Sequence, residues 1–516
     1  MNLLKTLATI SGMTMLSRIT GLIRDVLINS AFGATGWTDA YYAAMRIPNF
    51  FRRLFAEGAF SQAFVPILAE YKNQKGDQAT KELIDHVATV LVWALVLTCI
   101  IGVAGAPIFV YMFASGFAEN PAKFEITVVM TRIMFPYIGF ISLVALASGI
   151  LNTWREFKIP AFTPVLLNLS SIAASLFLAP HLEQPIYALA IAIFAGGVLQ
   201  MLIQVPALIK IGMLPRIRFN PMFALRDTGV LRVMRQMGPA VLAVSATQIS
   251  ILINSTWASH MPDGSMSWLA SADRLMEFPT ALLGVALGTI LLPSLSKANA
   301  DADTAEYSSL LDWGLRLTCL LAMPAAVALA TLPEALTATL FHNGKFDAHA
   351  VAMTGQAVTS YGVGLIGLIF VKILAPGFYA KQDIKTPVKI AIIVLLATQV
   401  MNLMFVPFIQ HAGLALSVGL GACINATMLY RGLRSRGIYV PEQGWSIFLV
   451  KLGAALSLMA GVALALSGQV DWIGMKGEKL MRVGLLGGII VACMLTYFSA
   501  LLAMGFRVRD FRKAAR

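Results

Sequence analysis

Long apolar segments dominate the pattern of hydrophobic and polar positions along this chain. Each holds roughly 20 mostly apolar residues, the length that an α-helix needs to cross a hydrocarbon core about 30 Å thick. The connections between them are short, and none has the pattern of a soluble domain. The pattern predicts fourteen membrane-spanning helices, near residues 7–32, 36–64, 83–113, 126–151, 160–179, 186–209, 236–259, 267–295, 309–332, 351–376, 388–408, 412–430, 445–467 and 483–505.

Composition also indicates an all-α polytopic membrane protein. Of the 516 residues, 58% are hydrophobic and 13% are charged, whereas soluble domains have about 45–50% and about 25%. The first apolar stretch carries Arg18, Arg24 and Asp25 and lacks a small-residue cleavage site. We therefore interpret it as a retained helix rather than a signal peptide.

The basic residues lie mainly in alternate connections. One set of connections carries Lys or Arg almost everywhere, whereas the other set carries only Lys123, Lys345, Lys476, Lys479 and Arg482. The positive-inside bias therefore predicts that both termini are cytoplasmic. It also accounts for the net charge of +13 without a nucleic-acid partner.

The chain repeats itself with an offset of 227 residues. Residues 63–69 (AFVPILA) resemble residues 290–296 (ILLPSLS), and the Lys-Ile-Pro at 158–160 resembles the Lys-Thr-Pro at 385–387. An offset that spans six helices keeps both copies in the same orientation, so the repeat is parallel. We predict a six-helix N-lobe (1–212), a six-helix C-lobe (213–436) and two additional helices (437–516).

A polar face runs along the first predicted helix. Ser17, Arg18, Arg24 and Asp25 fall within an arc of about 120° at helical periodicity. A charge at the bilayer centre costs at least about 3 kcal/mol, so such residues usually face a wet cavity. The face indicates a cationic cavity for an anionic substrate. The alternative is that Arg24 and Asp25 pair with neighbours and only hold helices together.

The second predicted helix is also rich in charge. Pro48 removes a backbone hydrogen bond in mid-helix and is expected to kink it, which suits a gate. An alternative interpretation is that the side chain of Arg52 or Arg53 extends to the membrane interface. The polar residues on this helix are Asp39, Arg46, Arg53 and Glu57 on one face, with Asn49 and Arg52 turned away from it.

The second lobe contributes fewer charges to the predicted cavity. Asp273, Arg274 and Glu277 share an arc of the eighth helix, and Lys372 stands alone in the tenth. Among all the predicted cavity residues, basic side chains outnumber acidic ones. Most of the basic side chains belong to the first lobe. Since a guanidinium matches phosphate oxygens bidentately, a phosphate or pyrophosphate is favoured over a carboxylate.

A glycine-rich run in the tenth helix predicts flexibility. Gly362, Gly364 and Gly367 lie close together there. With the kink at Pro48, they predict helices that bend during alternating access.

Signatures of enzymes and metal sites are missing from the sequence. There is no P-loop, so ATP hydrolysis is not expected. The six histidines lack ligand spacing, and the four cysteines lie in apolar runs without a CxxC pattern. We predict no catalytic residue, no metal and no cofactor.

Three long strings carry a family resemblance. They are RRLFAEGAFSQAFVP at 52–66, ADRLMEFP at 272–279 and APGFYAKQDIKTP at 375–387. Through them the chain resembles the MurJ (MviN) family of lipid II flippases, in the multidrug/oligosaccharidyl-lipid/polysaccharide (MOP) exporter superfamily. The similarity runs from residue 1 to the C-terminus.

The resemblance implies two six-helix lobes in a V and a groove for a polyprenyl tail formed by the two extra helices. It implies lipid II (undecaprenyl-pyrophosphoryl-MurNAc-pentapeptide-GlcNAc) as substrate, flipped across the bacterial inner membrane by a monomer among membrane lipids. Sodium coupling through aspartates of helices 7 and 11 is in doubt, since residues 236–259 and 388–408 contain none. The cavity residues that carry over are Arg18, Arg24, Arg52, Arg274, Ser17, Asp25, Asp39, Asn49 and Glu57.

Other functions stay open at this stage. A flippase for another polyprenyl-linked glycan fits the same pattern. A cation-coupled drug exporter of the superfamily is disfavoured by the positive surplus of the cavity. A polytopic glycosyltransferase would need a sizeable outer loop with catalytic carboxylates, and the outer connections are short.

Overall fold

The computed structural model describes residues 3–53, 60–281 and 286–507. All regular elements in this part of the chain are helical, which confirms the predicted all-α class. The chain forms two compact units, Met1–Met266 and Ser267–Arg516. The first contains α1 (Leu3–Phe32), α2 (Gly36–Phe51), α3 (Ser61–Gln74), α4 (Gly76–Ala104), α5 (Ala106–Phe113), α6 (Pro121–Met134), α7 (Tyr137–Thr153), α8 (Lys158–Ala173), α9 (Tyr187–Leu202), α10 (Val205–Lys210), α11 (Pro221–Ala224) and α12 (Thr228–Ser259).

The second unit begins within α13 and continues to the C-terminal helices. Its core joins Leu291 and Leu295 to Leu311, Phe378 and Leu429, which come from four different helices. The helices are α13 (Ser265–Pro279), α14 (Ala286–Ala300), α15 (Thr304–Thr331), α16 (Pro333–Phe341), α17 (Ala348–Leu374), α18 (Pro376–Tyr379), α19 (Lys385–Ser435), α20 (Trp445–Ser467) and α21 (Lys479–Ala503).

Several of these helices are long and apolar enough to cross a membrane. Among the described residues there are nine such spans, and the longest is Lys385–Ser435. That span bends at Ile409 and Gln410, whose backbone is not helical. The bend falls between the predicted segments 388–408 and 412–430. The chain is therefore multi-pass, while the number of fourteen crossings stays a prediction.

Helix boundaries recur with the offset that the sequence motifs show. Three pairs of boundaries lie 227 residues apart: the ends of α1 and α12 at Phe32 and Ser259, the starts of α6 and α17 at Pro121 and Ala348, and the starts of α8 and α19 at Lys158 and Lys385. The internal repeat is therefore present in the secondary structure as well as in the sequence.

The helix α12 occupies a position that the predicted lobes do not anticipate. The lobe boundary at 212/213 assigns it to the C-lobe, yet its first turns place Val230 and Val233 in a core with residues of α3, α4 and α7. This packing makes α12 part of the first compact unit. The compact units are defined by packing, whereas the predicted lobes are defined by the internal repeat. The two divisions need not coincide, so the predicted lobe boundaries stay a prediction.

Candidate functional site

Arg24 is held in a polar cluster between α1 and α8. Its Nε and Nη2 donate to Asp25 Oδ1 at 2.9 and 2.7 Å, and its Nη1 donates to Asn168 Oδ1 at 3.0 Å. Asn168 in turn donates to the carbonyl oxygen of Ser17 at 3.0 Å and to Thr20 Oγ1 at 3.1 Å. A guanidinium has five N–H groups, so two of those on Arg24 have no partner among the described residues.

The side chain of Asn168 on α8 lies opposite Gly21 of α1. A methyl group at Gly21 would lie 3.5 Å from Asn168 Nδ2, an ordinary contact distance. The side chains of Arg24 and Asp25 are 14% and 12% exposed, so their pair is largely shielded from solvent. Nearly two turns earlier, Ser17 is half-buried and Arg18 is exposed. The predicted polar face therefore has a fixed end at Arg24 and an open end at Arg18.

Asp39 lies in a separate buried cluster. It is 2% exposed, and its Oδ2 accepts from the backbone N–H of Gly264 at 2.7 Å. Lys123 Nζ lies 3.7 Å from the same oxygen and 2.7 Å from Asp263 Oδ1, and it also lies 4.0 Å from the ring centre of Phe117. These contacts tie α2 and α6 to the turn before α13.

The end of α2 brings together two predicted residues. Arg52 Nε donates to Asn49 Oδ1 at 3.1 Å, and the Arg52 backbone N–H is bonded to the carbonyl oxygens of Pro48 and Asn49. Pro48 is buried and Arg53 is exposed. The other predicted residues here are Arg46, which is half-buried, and Glu57, which lies outside the described residues.

The predicted residues of the second unit are more exposed. Arg274 Nη1 lies 3.2 Å from Glu277 Oε2, with the two side chains 33% and 64% exposed. Asp273 is half-buried and Lys372 is exposed. Arg274 and Glu277 are thus brought together, whereas Lys372 makes no hydrogen bond or ion pair with any part of the chain that the structure describes.

The glycine run of α17 lies at a close helix contact. A methyl group at Gly364 would fall 2.0 Å from the Cα of Gly419, and one at Gly367 would fall 2.6 Å from the backbone nitrogen of Cys423. At Gly362 it would lie 3.2 Å from the carbonyl oxygen of Ala326. These glycines let α17 pack directly against the backbones of α19 and α15. A role in bending stays a prediction.

Asp312 organises a polar network that sequence reasoning missed. Its Oδ1 accepts from Tyr439 Oη at 2.7 Å, from Trp445 Nε1 at 2.7 Å and from the Glu442 backbone N–H at 3.1 Å. Its Oδ2 accepts from Arg316 Nε at 2.7 Å. The available signal in the sequence was the acid four residues before Arg316, a spacing that favours a pair on one helix face.

The same network borders an apolar cavity of about 640 Å³ within the second unit. Trp445 lines the cavity on one side, and Leu315 and Phe370 line it on another. Arg434 contributes a cationic group to its lining. The cavity is therefore lined mainly by apolar side chains, with one cationic group among them.

Arg482 is the largest side chain among those fully buried in the described part of the chain. It donates to the carbonyl oxygens of Ala338 at 2.8 Å and His342 at 3.1 Å, and to Asn343 Oδ1 at 3.1 Å. The acceptors lie at or just beyond the end of α16, where the carbonyl oxygen of Ala338 also accepts the backbone N–H of His342 at 3.1 Å. The start of α21 is thereby bound to the end of α16.

Solved structures share this fold. One, an inward closed conformation of the lipid II flippase MurJ, matches with a TM-score of 0.78 at 23% identity, covering 96% of this chain and 99% of the other. An inward-facing multidrug resistance transporter of the MATE family, in the MOP superfamily, matches with a TM-score of 0.67 at 14% identity, covering 83% and 98%. The chain therefore shares the fold of these two proteins.

Sequence comparison identifies the family. The profile described as lipid II flippase MurJ matches residues 28–483. A lipid II flippase MurJ from Burkholderia cenocepacia is 58% identical over 516 residues, covering all of both chains. A probable lipid II flippase MurJ from Vibrio cholerae is 38% identical, covering 99% of this chain and 98% of its own. The chain belongs to the MurJ family, whose members are transporters rather than enzymes.

Proposed function

We propose that this protein flips lipid II, the undecaprenyl-pyrophosphate-linked disaccharide pentapeptide, from the inner to the outer leaflet of the bacterial cytoplasmic membrane for cell wall synthesis. The observation that supports this most strongly is the full-length similarity to a lipid II flippase at 58% identity. The substrate crosses by alternating access, with its headgroup in a polar cavity and its tail in an apolar environment.

Arg24 is the residue best placed to bind the pyrophosphate. Asp25 and Asn168 fix the plane of its guanidinium through three hydrogen bonds. The two remaining N–H groups are available to phosphate oxygens, which accept bidentate hydrogen bonds from arginine. Because Asp25 and Asn168 already hold the side chain, binding costs little conformational entropy.

The other candidate residues serve the same headgroup. The exposed Arg18 side chain supplies a second cation on the same helix as Arg24. Arg52 and Arg274 bind the phosphates from other helices. The polar and charged residues that shape or balance this site are Ser17, Asp25, Asp39, Asn49, Arg53, Glu57, Asp273, Glu277 and Lys372.

The polyprenyl tail lies against the helices of residues 437–516. The apolar cavity of about 640 Å³, bordered by Trp445 and Leu449 of α20, supports this assignment. Burial of a hydrocarbon chain is favourable by roughly 0.8 kcal/mol for each CH₂ group, so even a few isoprene units would contribute appreciably. Gln410, with φ 45°, shows that the neighbouring α19 is locally irregular.

The transport cycle moves an N-lobe (1–212) against a C-lobe (213–436). Bending at Pro48 and along Gly362, Gly364 and Gly367 accompanies the movement. Both termini lie in the cytoplasm, the protein works as a monomer among membrane lipids, and neither nucleic acid nor a cofactor takes part.

Native mass spectrometry of the purified protein tests the substrate directly. We expect lipid II to co-purify with the wild-type protein and to be lost from Arg24→Ala. Lys297→Ala is the matched control, because Lys297 is an exposed cation on α14 with no assigned role. Retention of a different polyprenyl-linked glycan in place of lipid II would overturn the assignment of lipid II as the substrate. It would favour a flippase for that other glycan.

Genetic complementation tests whether the substrate is transported. In a strain depleted of its own flippase, we expect Arg24→Ala, Arg52→Ala and Arg274→Ala to fail to restore growth at normal protein levels. Lys297→Ala is expected to restore it. Full growth with all three arginines replaced together would contradict the proposed headgroup site.

A further inference from the structure

The connection between α10 and α12 exposes an unusual set of side chains for a cytoplasmic loop. Phe219 is 90% exposed, Met222 is 62% exposed and Phe223 is 56% exposed. Ile217, in the same connection, is 48% exposed. Large apolar side chains grouped in this way mark a binding surface rather than an ordinary loop.

Basic residues alternate with these apolar ones. Arg216, Arg218 and Arg226 are all exposed. Within the described residues, none of the three guanidinium groups forms an ion pair with a carboxylate. The surface of residues 214–226, which we call the interfacial segment, is therefore both cationic and apolar.

The neighbouring acids are occupied by other groups. Asp85 pairs with Lys81 and accepts the backbone N–H of Arg216 at 2.8 Å. Asp227 Oδ2 lies 3.0 Å from His86 Nδ1. The other carboxylate oxygen of Asp227 accepts the first N–H groups of α12, so neither acid neutralises the interfacial segment.

Backbone hydrogen bonds fix this segment along one side of α4. The N–H groups of Arg216 and Arg218 donate to Asp85 Oδ1 at 2.8 Å and to Thr89 Oγ1 at 3.0 Å. Trp93 Nε1 then donates to the carbonyl oxygen of Arg218 at 3.3 Å. Positions 85, 89 and 93 lie four residues apart on one helix face, so the segment runs parallel to α4 for about 12 Å.

At Phe219 the segment reaches the start of the apolar exterior of α4. Phe219 packs edge-on against Trp93, with ring centres 5.7 Å apart. One turn beyond Trp93 on α4, Leu97 is 60% exposed, followed by Ile100 at 61% and Ile101 at 55%. A tryptophan at the border between such a band and a basic surface is typical of the membrane interface.

We propose that the interfacial segment binds the headgroups of anionic phospholipids in the inner leaflet, with Ile217, Phe219, Met222 and Phe223 inserted among the acyl chains. Arg216, Arg218 and Arg226 contact the phosphates. The continuity of Phe219 with the lipid-facing side of α4 identifies the bilayer as the occupant. The negative surface of the cytoplasmic leaflet complements the three cations.

Spin labelling tests the insertion of the apolar side chains. A label at Phe219→Cys, in a full-length variant whose native cysteines are replaced, is compared in nanodiscs with a label at Asp301→Cys, an exposed turn position on the same predicted side. We expect the label at 219 to be more accessible to oxygen than to a water-soluble nickel chelate, and the label at 301 to show the reverse. Equal nickel accessibility at the two sites would overturn the insertion.

Lipid selectivity tests the role of the arginines. Phosphatidylglycerol bound to the protein is measured by native mass spectrometry after extraction from vesicles of equal parts phosphatidylcholine and phosphatidylglycerol. We expect Arg216→Gln, Arg218→Gln and Arg226→Gln together to reduce its enrichment about tenfold, and high salt to reduce it in the wild type. Undiminished enrichment in the triple variant would overturn the proposal.

A charge-matched control separates local binding from net charge. Lys297→Gln, Lys389→Gln and Arg431→Gln together remove three exposed cations from α14 and α19. We expect this variant to keep the enrichment of phosphatidylglycerol. The Tm of all variants in pure phosphatidylcholine confirms folding, and Phe219→Ser with unchanged Tm provides a second test, in which reduced enrichment is expected. An equal loss of enrichment in both triple variants would also overturn the proposal.

Discussion

Arg155 and Gln382 adopt the same left-handed backbone conformation at positions 227 residues apart, with φ 63° and φ 59°. Each residue follows a helix and stands just before an acidic residue, Glu156 or Asp383. The backbone hydrogen bond made by that acidic residue is repeated as well. Glu156 N donates to Leu151 O at 2.9 Å, and Asp383 N donates to Phe378 O at 3.1 Å. The repeated unit therefore preserves a strained turn, although the two residues that occupy it are different.

Substitution at Gln382 is expected to depend on backbone shape. A β-branched residue tolerates positive φ poorly, whereas glycine adopts it freely. We expect Gln382→Ile to be less stable than Gln382→Gly by about 1–2 kcal/mol. At the exposed helical position Lys389 the order should reverse, since glycine is the weaker helix former there. Chemical unfolding in detergent micelles measures both pairs. Equal stability of the two Gln382 variants would contradict the left-handed backbone conformation at this position.

Gly364→Ala is expected to destabilise the second unit. The added methyl group would meet the Cα of Gly419 at 2.0 Å, and overpacking of this kind costs about 1–3 kcal/mol or more. Gly453→Ala in α20 is the matched control, because nothing lies within 4 Å of its methyl group, and it should be neutral or slightly stabilising. Thermal unfolding compares them. An unchanged Tm with altered transport would instead favour the bending role of Gly364.

Asp312→Ala is expected to disrupt the start of α20. The change removes the acceptor of Tyr439 Oη and Trp445 Nε1 and the carboxylate partner of Arg316, at a cost of about 3–5 kcal/mol for a buried charged network. Arg316 keeps its hydrogen bond to the carbonyl oxygen of Gln443. Asp312→Asn should cost less, because its amide oxygen can still accept the bonds made to Oδ1. The free energy of unfolding of the two variants checks this order. A loss of similar size in both variants would show that the charge, rather than the hydrogen bonds, matters.

Lys123→Met is expected to destabilise the first unit. Asp39 would remain buried without the cation that lies 3.7 Å from its carboxylate, and an uncompensated buried charge costs about 3–5 kcal/mol. The same change at Lys345 is the control, because Lys345 is exposed and the expected effect lies within about 0.5 kcal/mol. Thermal unfolding of both proteins tests the difference. Equal Tm values would mean that Asp39 has another compensating group.

Asp383 predicts a pH dependence of stability. Hydrogen bonds from the Thr386 hydroxyl at 2.6 Å and from Arg436 at 2.7 Å lower the pKa of its carboxyl group to about 2. A folded-state pKa below the unfolded value near 4 stabilises the protein above about pH 4. That contribution is lost as the pH falls from about 4 towards 2.

The comparison of wild type with Asp383→Asn measures this contribution. The difference in unfolding free energy should be constant between pH 8 and pH 5 and should shrink below pH 4. The exposed Asp301→Asn provides the control and should change stability little at any pH. A difference that grows on acidification would contradict the assigned direction of the pKa shift.

The sequence was sufficient to predict the all-α membrane class, the repeat and the polar face of the first helix. It could not supply Asn168, which lies 144 positions from Arg24, because helical periodicity carries no information about which helices meet. Lys123 was assigned to an outer connection, yet it is buried beside Asp39. Charge patterns indicate that a buried ion needs compensation, but they do not identify the compensating group.

The glycine run illustrates another limit of the sequence. Gly362, Gly364 and Gly367 predict a flexible segment, and the structure places them at tight contacts between helix backbones. Both roles require the absence of a side chain, so composition alone does not distinguish them. Only the position of Gly419 opposite Gly364 shows the packing role.

Arg482 limits how far the chain can be shortened. Its guanidinium donates to the carbonyl oxygen of His342 and to Asn343 Oδ1, just beyond the end of α16. A truncated variant that ends before α21 would remove the donor from both of these acceptors. A naturally shorter relative with the same α16 would therefore need a substitute cation, and a search for one would begin at the end of that helix.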